Sequence, residues 1–145
     1  MSQSLKPSVN AVLEEAMTWI GTPWHHGARV KGVGVDCLQF LVAVYTKAGL
    51  ISNVDPGKYP RDWHLHKNEA RFINGLLRFT TPVGGETQPG DVVMFSYGRH
   101  AAHGSIYLGE NQIIHAWRDA GCVTVSPIAG QLLVRYAGAY RVRGL

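Results

Sequence analysis

The feature that most constrains the fold is a nearly continuous apolar run over residues 38–45, which follows Asp36 and Cys37 directly. Asp36 as a capping residue, Gln39 in a capping-box position and Gly49 beyond the last turn predict a helix that begins at Cys37. A helix that is apolar on all sides is buried. The rest of the chain must therefore cover this helix.

The remaining sequence divides into a helical first half and a strand-rich second half. An amphipathic helix is predicted over residues 8–20, and another after Asp62 with Leu65, Phe72, Ile73, Leu76 and Leu77 as its buried side chains. Short apolar runs separated by turn residues predict strands at 92–95, 105–108, 113–117, 123–125 and 133–142, the last divided by Gly138. This order predicts an α+β domain with a mainly antiparallel sheet.

Composition limits the function classes. The 145 residues predict one domain over 1–145, large enough to form a core without disulfides or a structural metal, so the two cysteines are available for chemistry. The net charge of +4 favours an anionic partner, but the basic residues are scattered, apart from Arg141 and Arg143, so nucleic acid is not predicted. No apolar run is long enough to span a bilayer, and residues 1–10 lack a signal-peptide pattern, so we expect synthesis in the cytoplasm.

Cys37 is the candidate nucleophile. The free N–H groups and partial positive charge at a helix start stabilise a thiolate, which predicts a lowered pKa for this thiol. The backbone N–H of Cys37 would also contribute to an oxyanion site. The simpler interpretation is a small buried hydrophobic residue. A base close to the thiol would favour the catalytic interpretation.

His103 and His115 are the candidate partners, in a predicted hairpin. A three-residue loop over 109–111 places His115 opposite Ser105 and diagonal to His103, on a polar face. A two-residue loop shifts the register by one and puts the histidines on opposite faces. The sequence leaves both registers open. In the first, His103 is the base and His115 orients it, which is an arrangement for acyl transfer.

Four segments carry a family resemblance: GTPWHHGARVKGVGVDCLQFL at 21–41, YPRDWHLH at 59–66, PGDVVMF at 89–95 and HGSIYLGENQIIHA at 103–116. In this order they resemble the NlpC/P60 cysteine peptidases, and in particular the phage-encoded cell wall peptidases of that group. The resemblance implies a papain-like fold with the nucleophile helix packed on the sheet. It also implies hydrolysis of peptidoglycan stem peptides, commonly after γ-D-glutamyl, with Cys37 as nucleophile, His103 as base and His115 as third polar residue.

The resemblance also suggests where substrate binds and where the protein acts. The residues expected to bind substrate or stabilise the oxyanion are Trp24, His25, Asp36, Ser105, Trp63 and Trp117. Trp24 stands where family members often have tyrosine, and Gln39 where they usually have glycine. Phage peptidases suggest phage tail components as partners, and a virion-associated protein that acts at the cell wall.

Three other interpretations stay open. His100, His103 and His115, with Asp119 or Cys122, offer donors for zinc, but this leaves Cys37 unexplained, so no metal or other cofactor is predicted. The same thiol and histidines could transfer an acyl group to an amine or alcohol. The fold could also serve as a catalytically idle wall-binding or virion component. Cys122 is interpreted as structural and reduced.

Overall fold

The computed structural model describes residues 5–52, 75–97 and 100–145, with the backbone alone at 100–102. The helices that lie wholly within these residues are α1 (Pro7–Met17), α2 (Cys37–Lys47) and α3 (Gln131–Val134). A small antiparallel pair is formed by β1 (Arg29–Val30) and β2 (Gly34–Val35). The main-sheet strands are β3 (Thr80–Pro82), β4 (Val92–Tyr97), β5 (His100–Gly109), β6 (Gln112–Trp117), β7 (Cys122–Pro127) and β8 (Tyr136–Val142).

The main sheet has the order β3-β8-β4-β5-β6-β7, and all of its pairings are antiparallel. This confirms the α+β prediction. Within the described residues, no helix is long and apolar enough to cross a membrane.

Helix α2 is the centre of the main core. Asp36 caps it by accepting the backbone N–H of Gln39, and Gly49, with φ of 78°, follows its C-cap. Both ends therefore confirm the sequence prediction. The reciprocal capping-box contact is absent, because the Gln39 side-chain oxygen is buried without a hydrogen-bond partner among the described residues. Phe40, Leu41 and their neighbours pack against α1 and the sheet.

Helix α1 begins at Pro7, where the missing N–H of proline costs nothing. It buries Val9, Val12 and Ala16 but ends at Met17, three residues before the predicted end. Residues 18–21 form turns, and the last of them, Gly21, has a φ of 85° that is incompatible with a continuing helix. Most of the helix predicted after Asp62 lies outside the described residues. Residues 75–77 are helical, and Leu76 is buried as predicted.

The β5–β6 hairpin combines the two loops considered for it. Glu110 and Asn111 form a two-residue turn with φ of 52° and 62°, values typical of a type I′ turn. The register nevertheless pairs Tyr107 with Ile113, because Leu108 is an extra residue in β5. The bulge restores the register of the three-residue loop. Both histidines therefore lie on one face of the sheet.

That face carries the predicted polar side chains, but it is buried and it is not polar throughout. His103, Ser105 and His115 are all buried, and they share the face with a second apolar cluster. This cluster includes Phe95 and Leu132, and Leu132 belongs to α3. The strand predicted over 133–142 starts only at 136, since residues 131–134 form this helical turn instead.

Candidate active site

The Cys37 thiol lies against β5. The backbone N–H of Gly104, the residue after His103, interacts with it as a hydrogen-bond donor. Gly104 allows this approach because a Cβ there would lie 2.6 Å from Cδ1 of Leu41 on α2. A side chain at 104 would therefore push the nucleophile helix away from the strand that carries the base.

The two histidines are in direct contact. His103 Nε2 and His115 Nδ1 are 2.7 Å apart, and His115 Nε2 is 2.7 Å from the Ser126 hydroxyl. Trp117 stacks on the His115 ring, with centroids 4.9 Å apart and planes at 21°. This packing holds the His115 ring between its two hydrogen-bonding partners. His103 and His115 are thus in contact, and Cys37 lies against the strand that carries His103 through the backbone of Gly104.

Burial keeps the Cys37 thiol and both histidines uncharged in the resting site. It raises the pKa of Cys37 to about 12, and the Asp36 charge adds to this, although backbone N–H groups of Gly104 and the helix start act in the opposite direction. Burial lowers the pKa of His103 to about 4, and burial with the nearby His103 lowers that of His115 to about 2. The prediction of a lowered thiol pKa is wrong for the resting protein, because desolvation outweighs the donors of the helix start.

Asp36 anchors the loop that precedes the nucleophile. One carboxylate oxygen accepts the Gln39 N–H at 2.9 Å, and the other accepts the Gly27 N–H at 2.7 Å. The side chain is fully buried. Asp36 therefore fixes both the helix start and the loop, and these contacts give it a positioning role instead of the predicted substrate contact.

The other predicted substrate-binding residues have different surroundings. Trp24 and His25 line a cleft of about 210 Å³ together with His26 and Arg118. Ser105 lies within the sheet, where its buried hydroxyl donates to the Val93 carbonyl, so its location does not support substrate binding. Trp63 lies outside the described residues.

Neither Cys37 nor Cys122 is in a disulfide. Cys122 begins β7 and its backbone bridges to Pro23. In the part of the chain that the structure describes, no group of three or more His, Cys, Asp or Glu side chains could hold a metal ion.

Sequence reasoning missed Ser126 and Arg118. Ser126 lies on β7 opposite Ile113, which places it diagonal to His115. The register of β7 was the signal that could have identified it. Arg118 follows Trp117 directly, but its part in the cleft depends on a loop more than ninety residues earlier in the sequence.

Comparison with known proteins is consistent with this geometry. The model of the NlpC/P60 family matches residues 21–141. The chain is 32% identical over 130 residues to a probable endopeptidase p60 of Listeria grayi, covering 89% of this chain and 22% of that protein. It is 27% identical over 139 residues to a gamma-DL-glutamyl hydrolase of Bacillus subtilis (strain 168), covering 94% and 30%. The chain thus spans less than a third of these relatives.

A solved structure with a similar fold is RipD of Mycobacterium tuberculosis, described as a non-catalytic NlpC/p60 domain protein adapted to peptidoglycan binding. Its TM-score is 0.62 at 18% identity, and the match covers 97% of this chain and 100% of that one. This likeness shows the fold alone. The family match extends over most of the chain and contains the thiol and both histidines. The chain belongs to the NlpC/P60 family.

Proposed function

We propose that this protein is a cysteine endopeptidase that hydrolyses stem peptides of bacterial peptidoglycan. The observation that carries the proposal is the buried 2.7 Å contact between His103 Nε2 and His115 Nδ1, beside a thiol at a helix start. Since Nε2 is occupied by His115, Nδ1 is the His103 atom left to exchange a proton with Cys37. An oriented base next to a nucleophile is the arrangement that acyl transfer requires.

The hydrogen-bond chain defines the tautomers. A neutral His103 whose Nδ1 acts as base carries its proton on Nε2 and donates it to His115 Nδ1. His115 must then carry its own proton on Nε2, from where it donates to Ser126 Oγ. Each ring thus has one donor and one acceptor in use. His115 stabilises the His103 imidazolium when it forms, as an orienting group does in a triad.

The reaction follows from these positions. Cys37 Sγ attacks the scissile carbonyl carbon while its proton moves to His103 Nδ1, and the backbone N–H of Cys37 lies at the helix start, where it can stabilise the oxyanion. The C–N bond then breaks, and the amine leaves with the proton from Nδ1. Water, deprotonated by the same nitrogen, attacks the thioester and regenerates the thiol. Proton transfer accompanies attack because the resting thiol is protonated.

We further propose that the bond cleaved is γ-D-glutamyl. Two observations support this: the similarity to a gamma-DL-glutamyl hydrolase, and the sequence resemblance to enzymes that commonly cleave after this residue. The net charge of +4 is compatible with an acidic wall polymer.

Digestion of purified peptidoglycan tests both parts. The wild-type protein and Cys37→Ala are incubated with the same sacculi, and new amino termini are identified by mass spectrometry. We expect new termini after γ-D-glutamyl from the wild type alone. Termini at another bond would overturn the bond assignment, and no new termini would contradict the endopeptidase.

Two alternatives each have a distinguishing result. A non-catalytic wall-binding protein is supported by the likeness to RipD and by the high pKa of the resting Cys37 thiol. It predicts that an electrophilic thiol probe fails to label Cys37 below pH 8, while sacculi still bind the protein. An acyltransferase predicts labelling of Cys37 and a product in which an added amine or alcohol replaces water.

We also propose, on the sequence resemblance, that the protein is of the phage type, associates with a virion and acts at the wall. Mass spectrometry of purified particles from a producing strain tests this. Recovery in particles together with tail proteins is expected. Its absence from particles that contain every other tail protein would contradict the assignment.

A further inference from the structure

The cleft beside the active site has an arginine in its lining. Its walls include Trp24, His25, His26 and Arg118, and no carboxylate from the described residues contributes to it. The Arg118 guanidinium carbon lies 5.7 Å from the centroid of the Trp24 ring, within the range of a cation–π contact. Among the described residues Arg118 forms no ion pair. The cleft therefore presents an arginine whose N–H edge is available to an anion.

The cation–π contact with Trp24 suits Arg118 to the binding of a planar anion. An aromatic face restricts the orientation of a guanidinium without using its N–H donors. The donors remain able to form two parallel bonds to a carboxylate, which a lysine cannot do. The chemistry of the cleft therefore favours a carboxylate.

The cleft adjoins both halves of the catalytic machinery. On one side, Arg118 directly follows Trp117, which stacks on His115. On the other, Trp24 forms a parallel bridge with Val35, two residues before Cys37. The Cα atoms of bridge partners lie about 5 Å apart, and two extended residues add about 7 Å. The Cα atoms of Trp24 and Cys37 therefore lie within about 12 Å, the length of three or four residues of peptide. A substrate that reaches Cys37 can thus reach the cleft.

We propose that Arg118, supported by Trp24, binds the free α-carboxylate of the γ-linked glutamyl residue in the substrate. This inference rests on the proposed function. A γ-glutamyl bond uses the side-chain carboxyl, so the α-carboxylate of that residue stays free and charged, whereas an ordinary peptide bond consumes it. The same contact makes the enzyme discriminate against peptidoglycan in which this carboxylate is amidated, since a carboxamide is neutral and presents N–H donors to the guanidinium.

Two synthetic stem peptides test the proposal. They are identical except that the γ-linked D-glutamyl residue carries an α-carboxylate in one and an α-carboxamide in the other. We expect the wild type to prefer the carboxylate by about tenfold or more in kcat/KM, mainly through KM. Arg118→Gln should lose this preference by cleaving the carboxylate peptide more slowly. Arg29→Gln removes the same charge from an exposed side chain outside the cleft and should retain the preference.

Calorimetric binding of both peptides to Cys37→Ala separates this inference from the proposed function. Tighter binding of the carboxylate peptide to Cys37→Ala, and loss of this preference in Cys37→Ala/Arg118→Gln, would support the subsite. If the wild type then cleaves neither peptide, the hydrolase proposal fails and the subsite proposal stands. Cleavage of both peptides at equal rates, or a preference unchanged in Arg118→Gln, would overturn the subsite and leave the hydrolase in place.

Discussion

At the scale of single residues, His103 and His115 have unequal roles although they touch. His103→Ala removes the proton acceptor, so we expect turnover to fall by about a thousandfold or more. His115→Ala leaves the base and removes its orientation, so the loss should be smaller, on the order of tenfold to a hundredfold. Steady-state kinetics, with circular dichroism as the check on folding, measures both. Equal residual activity in two folded variants would refute the assignment of roles.

Ser126 provides a further test at this scale. Its hydroxyl accepts a hydrogen bond from His115 Nε2, and without this bond His115 can adopt the tautomer whose Nδ1 no longer accepts from His103. We expect Ser126→Ala to lower kcat about fivefold to tenfold with KM unchanged, and Ser126→Thr to restore most of it. Thr124→Ala is the matched control, because Thr124 pairs with His115 across the strands but, among the described residues, its hydroxyl hydrogen-bonds to the Val125 carbonyl and not to His115. An equal loss in Thr124→Ala would indicate a general effect on β7.

The site residues that could be predicted from sequence are those with local signals. Asp36 and Cys37 stand at a helix start, and His103 and His115 flank one hairpin, so spacing alone brings each pair near its place. Ser126 depends on the register of β7 against β6, which the longer 118–121 connection leaves open, and Arg118 depends on the packing of the distant loop before α2 against the β6–β7 turn. The spacing of apolar residues along the sequence does not indicate contacts of this kind.

At the scale of elements, the β5–β6 hairpin shows how packing fixes a register that the sequence leaves open. Ile106 and Ile114 both pack in the main core around α2, and this fixes the register, because a one-residue slip would turn the side chains of one strand to the opposite face and separate His103 from His115. The turn was free to shorten to Glu110 and Asn111 as long as a bulge compensated. A second bulge lies beside His103. Phe95 pairs with His103, but Ser96 pairs with Ala101, so β5 has one extra residue at position 102.

The contact between α2 and β5 gives a prediction about stability. Gly104→Ala places a methyl group 2.6 Å from Leu41 Cδ1 and 3.2 Å from Met94 Sδ, and both side chains are buried. We expect the free energy of unfolding to fall by about 1–3 kcal/mol in denaturant titrations. The cost should be smaller in a Leu41→Ala background, where the space exists. An unchanged cost there would show that the clash is not with Leu41.

At the scale of the whole molecule, the buried histidines predict acid sensitivity. Their pKa values are about 4 for His103 and about 2 for His115, against about 6.5 in an unfolded chain. The unfolded chain therefore binds more protons below pH 6.5, so the free energy of unfolding falls as pH drops from 6.5. His103 alone contributes about 3 kcal/mol of this loss by pH 4.

Chemical denaturation between pH 7 and 4 measures the effect. His115→Asn should show a shallower fall than the wild type, whatever its stability at pH 7, because one buried imidazole is gone. His25→Asn removes an exposed histidine and should keep the wild-type slope. A slope unchanged in His115→Asn would mean that acidic groups elsewhere determine the acid sensitivity.

The segment before the nucleophile has a consequence for self-association. Strand β7 ends the sheet, and an uncovered strand edge offers its N–H and C=O groups to other chains. Residues 21–24 occupy part of this edge through backbone hydrogen bonds to Val123 and Gly121, while their other side pairs with Val35. The segment that forms the cleft wall therefore also shields the edge, so remodelling it to alter specificity carries a risk of aggregation.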